Sequence, residues 1–332
     1  ESENAIKFLE DNPDTPLDGS IRVEGIGFNE FTDSNYMQGG KAWEREGVLT
    51  VFDKTGKLLS SQNLGIRVKG HRTRNFPKKS LNFYAREIYG SDTIEQVIFP
   101  EKEKHLTLFA GGQDSRTLIR DTYITSLTDG LAFESLDFSE PYQVFIDGEY
   151  WGLYRLSEKI DEYFVERHFN VSKDQAVVIK NSVLSAGNDE DFEDFWSFKE
   201  YVENADLSDP TEYEKLTEMA DIDSIIDYFA ARMYLDEGLD WPNINIAFWK
   251  SREKAESNPY ADSRWRMINF DNNLNIHYDS VSDNTVDAVI NGNKNHKRNE
   301  LLYKLMQNSV FRKSFYERYM EIERTVFAPG SA

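Results

Sequence analysis

The stretch that decides how this chain reads runs Asp240-Trp-Pro-Asn-Ile-Asn245-Ile-Ala-Phe-Trp-Lys250 and comes back as Arg264-Trp-Arg-Met-Ile-Asn-Phe-Asp271-Asn-Asn273. Residues 245–250 and 264–270 predict the two arms of a hairpin, with the polar segment Ser251 to Ser263 as its loop. A loop centred near residues 257–258 sets Asn245 close to Phe270 and Asp271, with Asp240 just before the hairpin. Alone, either aspartate reads as a turn former. Together they make a set suited to phosphoryl transfer. One carboxylate orients an attacking hydroxyl, while a neutral oxygen and a second carboxylate hold magnesium against nucleotide phosphates. Magnesium is usually bound by only one or two carboxylates plus substrate phosphates, so three residues suffice. Asp271-Asn-Asn-Leu-Asn275 also begins like a calcium loop, but Ile276 stands where that loop needs glycine and Ser282 where it needs glutamate.

Composition narrows the classes. The chain has 332 residues, beyond the roughly 250–300 at which one hydrophobic core stops growing, so two lobes are expected. With 39% hydrophobic and 14% aromatic residues it is globular rather than disordered. A formal charge of −21 opposes nucleic-acid binding and attachment to anionic membranes. Zero cysteines remove disulfides, thiolate chemistry and cysteine-bound zinc. No apolar run approaches the ~20 residues of a membrane span. The first residues, Glu1-Ser-Glu-Asn, lack the pattern of a signal peptide, which is expected to have been removed. Ala328-Pro-Gly-Ser-Ala332 reads as the start of a linker.

Along the chain, residues 1–40 read as a polar extension containing the loop Asp11 to Gly19. Strands are predicted at Val48–Phe52, Leu64–Lys69 and Leu81–Ala85, and a helix over Thr117–Leu127. Asp147-Gly148, between Tyr142–Ile146 and Tyr150–Tyr154, predicts a two-residue type I′ hairpin. A helix is expected over Ser157–Phe169 with Ser157 as N-cap and Glu158 in its first turn, then a strand at Val177–Ile179. Acidic, aromatic-rich helix follows from about Asn188, with further helices at Ile225–Leu235 and Leu301–Val326. The lobe boundary is expected near residues 181–190. The resulting division is 1–40, a β-rich lobe over 41–185 and a mainly helical lobe over 186–332.

Arg67-Val-Lys-Gly-His-Arg-Thr-Arg-Asn-Phe-Pro-Lys-Lys-Ser80 carries Arg67, Lys69, Arg72, Arg74, Lys78 and Lys79 with no acid. In so acidic a chain this is where a phosphate would bind, although a charge run is also often a solvated face. On the following strand Lys79, Leu81 and Phe83 share one face, and Lys78, Ser80 and Asn82 the other. A lysine here could reach nucleotide phosphates and pair with Glu158. The P-loop, dinucleotide, Gly-x-Ser-x-Gly and His-Glu-x-x-His patterns are absent. The histidines at 71, 105, 168, 277 and 296 show no ligand spacing.

From about Trp43 to His277 the chain resembles the CotH kinase family. The blocks that carry the resemblance are Gly65 to Ser80, Leu118-Ile-Arg-Asp121, Val144 to Ile160, Leu239 to Asn245, and Trp265 to Asp271. The resemblance implies an α+β, two-lobed, atypical protein-kinase-like fold and transfer of the ATP γ-phosphate to protein serines with Mg2+ or Mn2+. On this resemblance Asp240 is the catalytic base, and Asn245 and Asp271 hold the metal. Lys79 or Lys78, helped by Arg67, Arg72 and Arg74, contacts the phosphates, and Glu158 orients the lysine. Ile244 stands where the family often has asparagine. Asn273 stands where it often has a second aspartate, which weakens a two-metal site. The histidine-arginine and glycine that flank the two aspartates in ordinary protein kinases are missing. Relatives in spore coats and secreted assemblies imply a secreted or spore-surface location and a protein partner. Two rivals stand beside the kinase: an inactive, structural or carbohydrate-associated module of an extracellular assembly, and a glycoside hydrolase using paired carboxylates.

Overall fold

The computed structural model describes residues 34–95, 99, 103–114, 117–235, 241–242, 244–276, 284–292, 298–328 and 330. They fall into two compact units. The first takes the described residues up to Leu118 together with Asp137–Lys159, and the second takes Ile119–Leu136 together with the residues from Ile160 on.

The first unit is built on a six-stranded antiparallel sheet of β1 (Arg45–Phe52), β2 (Leu58–Lys69), β3 (Ser80–Tyr84), β4 (His105–Phe109), β6 (Tyr142–Ile146) and β7 (Glu149–Ser157). They are ordered β1-β2-β3-β4-β7-β6. The period of two places Leu64, Phe83, Leu106, Leu108 and Leu156 in one buried cluster. The registers Ile66↔Phe83, Leu81↔Leu108 and Leu108↔Leu156 keep those side chains on a common face. Asp147 and Gly148 both take positive φ, +49° and +86°, as the type I′ hairpin requires.

The opposite face is held by charge. Glu44 accepts hydrogen bonds from Arg67 Nη2 at 2.7 Å and Arg86 Nε at 2.7 Å, and Arg67 also lies 4.0 Å over the Tyr84 ring. Gly65 makes room for this carboxylate, since a Cβ there would meet Glu44 Oε1 at 2.5 Å. Residues before 41 join the same unit: Arg74 donates to the carbonyls of Met37 and Gln38, and Lys79 lies over Tyr36. The expected extension over 1–40 is thus corrected from Ser34 onward, because that segment supplies acceptors for the basic block. The predicted loop Asp11 to Gly19 lies outside the described residues.

The second unit holds β5 (Glu134–Ser135), β8 (Ala176–Lys180), β9 (Val183–Ala186), β10 (Ala247–Ser251) and β11 (Arg266–Asn269), in the order β5-β11-β10-β8-β9. Around it are α1 (Arg120–Leu127), α2 (Glu162–Phe169), α3 (Asp189–Asn204), α4 (Pro210–Met219), α5 (Ile222–Tyr234), α6 (Thr285–Asn291), α7 (Glu300–Leu305) and α8 (Ser309–Thr325). Val177, Ile179, Phe248 and Met267 join Phe195, Phe198 and Phe229 in its core. None of the described helices is long and apolar enough to cross a membrane.

The division falls at Lys159/Ile160 rather than near 181–190. β8 and β9 cannot belong to the first unit, since β8 pairs with β10 across Ala247↔Lys180. The helix expected from Ser157 begins five residues later. Ser157 is still paired with Thr107 in the sheet, and Asp161 is the N-cap, accepting from the Tyr163 N–H at 3.1 Å. Glu158 therefore follows a strand instead of opening a helix.

Burial pushes the Glu44 carboxyl up, but hydrogen bonds and charges from Arg86 and Arg67 outweigh it and hold it at about 2. A depressed carboxyl stabilises the fold fully above its ordinary 4.5, and that stabilisation fades as pH falls toward 2. Glu44→Ala is expected to cost about 3 kcal/mol, the low end for breaking a buried pair, because both arginines keep some solvent contact. Urea denaturation at pH 7 and pH 3 checks this: the wild-type advantage over the variant should shrink at pH 3.

Candidate active site

The hairpin of the second unit has the expected register, Ala247↔Ile268 and Trp249↔Arg266. Continued outward, it sets Asn245 and Asp271 at the same end. Both residues adopt the left-handed region, with φ +60° and +61°, which Asn and Asp tolerate better than other residues with a side chain. The Asn245 backbone is pinned: its carbonyl accepts from Tyr228 Oη at 3.2 Å, and Tyr228 Oη accepts from Trp241 Nε1 at 3.0 Å. Next to it, Ile246 exchanges hydrogen bonds with Asn181. Asp271 Oδ1 accepts from Asn273 Nδ2 at 2.9 Å. Asn273 thus serves Asp271 as a donor where a second carboxylate would have repelled it. Asp240 and Asn243 lie outside the described residues.

Beneath this end lies a group to which the sequence reading gave no role. Arg232, on α5, is fully buried, and its Nη1 donates to Asn269 Oδ1 at 2.8 Å, to the Phe270 carbonyl at 3.1 Å and to Asn272 Oδ1. The Asn272 N–H in turn donates to Asp121 Oδ1 at 2.5 Å, and Asn269 Nδ2 to Ser135 Oγ at 3.1 Å. Burial pushes the Arg232 guanidinium down, against the fields of Tyr228, Asp271 and Asp121, yet an arginine keeps its charge in a protein. One cation therefore holds Asn269, Phe270 and Asn272, on both sides of Asp271, through two side-chain oxygens and one backbone carbonyl. The available signal was an arginine inside the mostly apolar run Tyr228 to Leu235.

In the first unit the basic block is largely bound to its own chain. Arg67 is paired with Glu44, and Arg74 caps the Met37 and Gln38 carbonyls. Lys78 donates to the Leu153 carbonyl and lies 4.3 Å over Tyr154. Lys79 is buried, donates to the carbonyls of Arg74 and Phe76 at 2.7 Å each, and lies 4.1 Å over Tyr36. Arg72 is in the short 3-10 turn Arg72–Asn75. Of the two lysines, Lys79 lines a cleft of about 1510 Å3 with Ile66, Leu81, Phe83 and Trp151. Burial pushes the Lys79 ammonium down to about 8. Glu158 is buried and accepts from the Asp137 N–H at 2.9 Å. The expected Lys79–Glu158 pair is not formed, because Lys79 spends its donors on backbone carbonyls of its own loop.

Compared with family models, the chain matches the CotH kinase protein family over residues 66–332. It belongs to the CotH kinase family. A comparison with curated proteins finds no match. As a CotH-family chain it is kinase-like, and its donors fit that chemistry: the Asp271 carboxylate and the Asn245 amide oxygen are the hard oxygen ligands magnesium takes. The Asn245 side chain makes no hydrogen bond among the described residues, which leaves that oxygen available.

Arg232→Met should be severely destabilising, by about 3–5 kcal/mol, because it strands the buried acceptors of Asn269 and Asn272. Hydrogen exchange tests the local form of this claim. The amides of Asn272 and Asn275 should lose protection well before those of β8, and equal loss throughout the unit would contradict a role centred on the Asp271 loop.

Proposed function

We propose that this chain is an atypical protein kinase that transfers the ATP γ-phosphate to serine hydroxyls of a protein, with Mg2+ or Mn2+. What supports the reading is the β10–β11 register, which carried outward aligns Asn245 with the Phe270–Asp271 end that the buried Arg232 holds. A bound metal would supply charge neutralisation of the β- and γ-phosphates. Asp271 and Asn245 would hold it, and Arg232 keeps the Asp271 loop from collapsing when nothing is bound.

Asp240 is assigned the role of base: it orients the serine hydroxyl and takes its proton as the oxygen attacks phosphorus. Lys79 is assigned to the phosphates, at the cost of exchanging one carbonyl acceptor for a phosphate oxygen. Arg67 and Arg74 shape its loop. Arg72 is assigned to the phosphates with Lys79, and Glu158 anchors the chain at Asp137, beside the end of β7. The protein partner is a serine-bearing protein, and we place the chain in a secreted or spore-surface setting on the family resemblance. A second reading has one observation behind it: the Asn273–Asp271 hydrogen bond occupies a carboxylate oxygen that a second metal would need. A chain limited in this way would bind nucleotide yet turn over poorly, as a pseudokinase would.

Phosphotransfer from radiolabelled ATP to a serine peptide panel, with Mg2+ or Mn2+, tests the proposal. Asp240→Ala should lower turnover by about 10²–10⁴ while nucleotide affinity and melting temperature hold. A variant that melts early yet keeps its specific activity would remove Asp240 from catalysis. A wild type that binds nucleotide without transfer would establish the pseudokinase. The Lys79 value adds a pH signature. Its ammonium is lost as pH rises through about 8, so Mg-ATP affinity should decline between about pH 7 and 9. Lys79→Arg, which stays charged throughout that range, should abolish that decline. An unchanged profile would free Lys79 from phosphate contact.

A further inference from the structure

Lys180 is the last residue of β8, one position beyond the strand expected at Val177–Ile179. β10 lies between β8 and β11, and Lys180, Ala247, Ile268 and Glu134 form one cross-strand row. Paired residues in a row stand on the same face of the sheet. Ala247 presents only a methyl group, so the Lys180 side chain can cross β10 and reach the next strand. Its Nζ lies 4.1 Å from the centroid of the Phe270 ring. Phe270 immediately precedes Asp271, and its carbonyl is one of the groups that Arg232 holds. The backbone beneath the lysine is equally fixed. Val177, Val178 and Ile179 are fully buried, and the following Asn181 is bonded to Ile246, the neighbour of Asn245.

The geometry points to Lys180 as a phosphate-contacting catalytic residue that meets the terminal phosphates of the nucleotide. This rests on the kinase reading above. Asp271 and Asn245 would hold a metal that neutralises the terminal phosphates, so a cation fixed at that same end is suited to those oxygens rather than to the adenosine. Clamps of lysine or arginine on the transferring phosphoryl group are a general means of stabilising the charge that builds there. Lys180 is a cation carried by the second unit itself, on β8, one strand removed from β11, which leads to Asp271. The competing account makes Lys180 a cation–π brace on Phe270. At a half-exposed site such a brace is a small contribution to stability. The row is not purely cationic. Glu134 stands at its far end, 3.7 Å from His168 Nδ1, with Ala247 and Ile268 between it and Lys180.

Calorimetry on the full chain, with Lys180→Met and Lys180→Arg beside wild type, separates the two accounts. Lys180→Met should weaken Mg-ATP by about tenfold to a hundredfold, the range of one lost charged hydrogen bond. Mg-ADP should weaken less, adenosine should be unaffected, and the melting temperature should stay within a few degrees of wild type. Lys180→Arg should recover most of the ATP affinity, since the charge returns. Unchanged Mg-ATP affinity in Lys180→Met, with wild-type binding intact, would overturn the Lys180 assignment alone. An early-melting variant that loses ATP and adenosine equally would make Lys180 a brace and overturn it too. A wild type that binds no Mg-nucleotide would overturn the kinase reading, and this assignment with it.

Discussion

A guanidinium with no exposure to water must find its hydrogen bonds inside the protein, and Arg232 finds those described here on the segment Asn269–Asn272. The dependence runs both ways. Arg232 can be buried only if that segment adopts one conformation, and the segment keeps its left-handed turn at Asp271 only while Arg232 binds it. Leaving such a cation unpaired would cost several kcal/mol, a large share of the stability of an ordinary domain. The Asp121 carboxylate extends the coupling to α1 through the Asn272 N–H, and Ser135 extends it to β5 through Asn269. Three separate stretches of sequence thus converge on the residues around one carboxylate.

This convergence bears on catalysis through pre-organisation. A metal ligand on a free loop would lose conformational entropy whenever the ion arrived. Here the neighbours of Asp271 are already ordered on folding by their hydrogen bonds to Arg232. The first unit follows a different design. Its basic side chains hold their own loop through carbonyls, an acidic partner and aromatic faces, so an incoming phosphate must displace acceptors rather than fill an empty cradle. Glu44 has the structural part, keeping Arg67 and Arg86 on one face of the sheet, and Lys79 keeps its charge at the expense of a proton affinity lowered by burial.

What could be read from the sequence was what neighbours in the chain determine. Asp147-Gly148 specified its hairpin because only φ > 0 closes that turn. A polar loop centred near residues 257–258 specified the β10–β11 register, Ala247↔Ile268. Tertiary pairing decided the rest. Ser157 has N-cap chemistry, but its partner Thr107 keeps it in a strand, so the helix waits for Asp161. Residues 34–40 look like an extension until Met37 and Gln38 are seen to receive Arg74. β8 reads as part of the first lobe until its partner proves to be β10. Arg232 and Lys180 drew no notice, because a single cation in an apolar helix or at a strand end acquires meaning only from what lies across from it.

The central claim is that Asp271, set by Arg232 and joined by Asn245, binds a divalent cation together with a nucleotide. Electron paramagnetic resonance of Mn2+ titrated into the full chain, with and without ATP, measures this most directly. The account predicts one tightly bound Mn2+ per chain in the presence of ATP, and loss of that bound signal in Asp271→Asn with the fold intact. Equal Mn2+ binding by the variant and wild type, or binding indifferent to ATP, would contradict it.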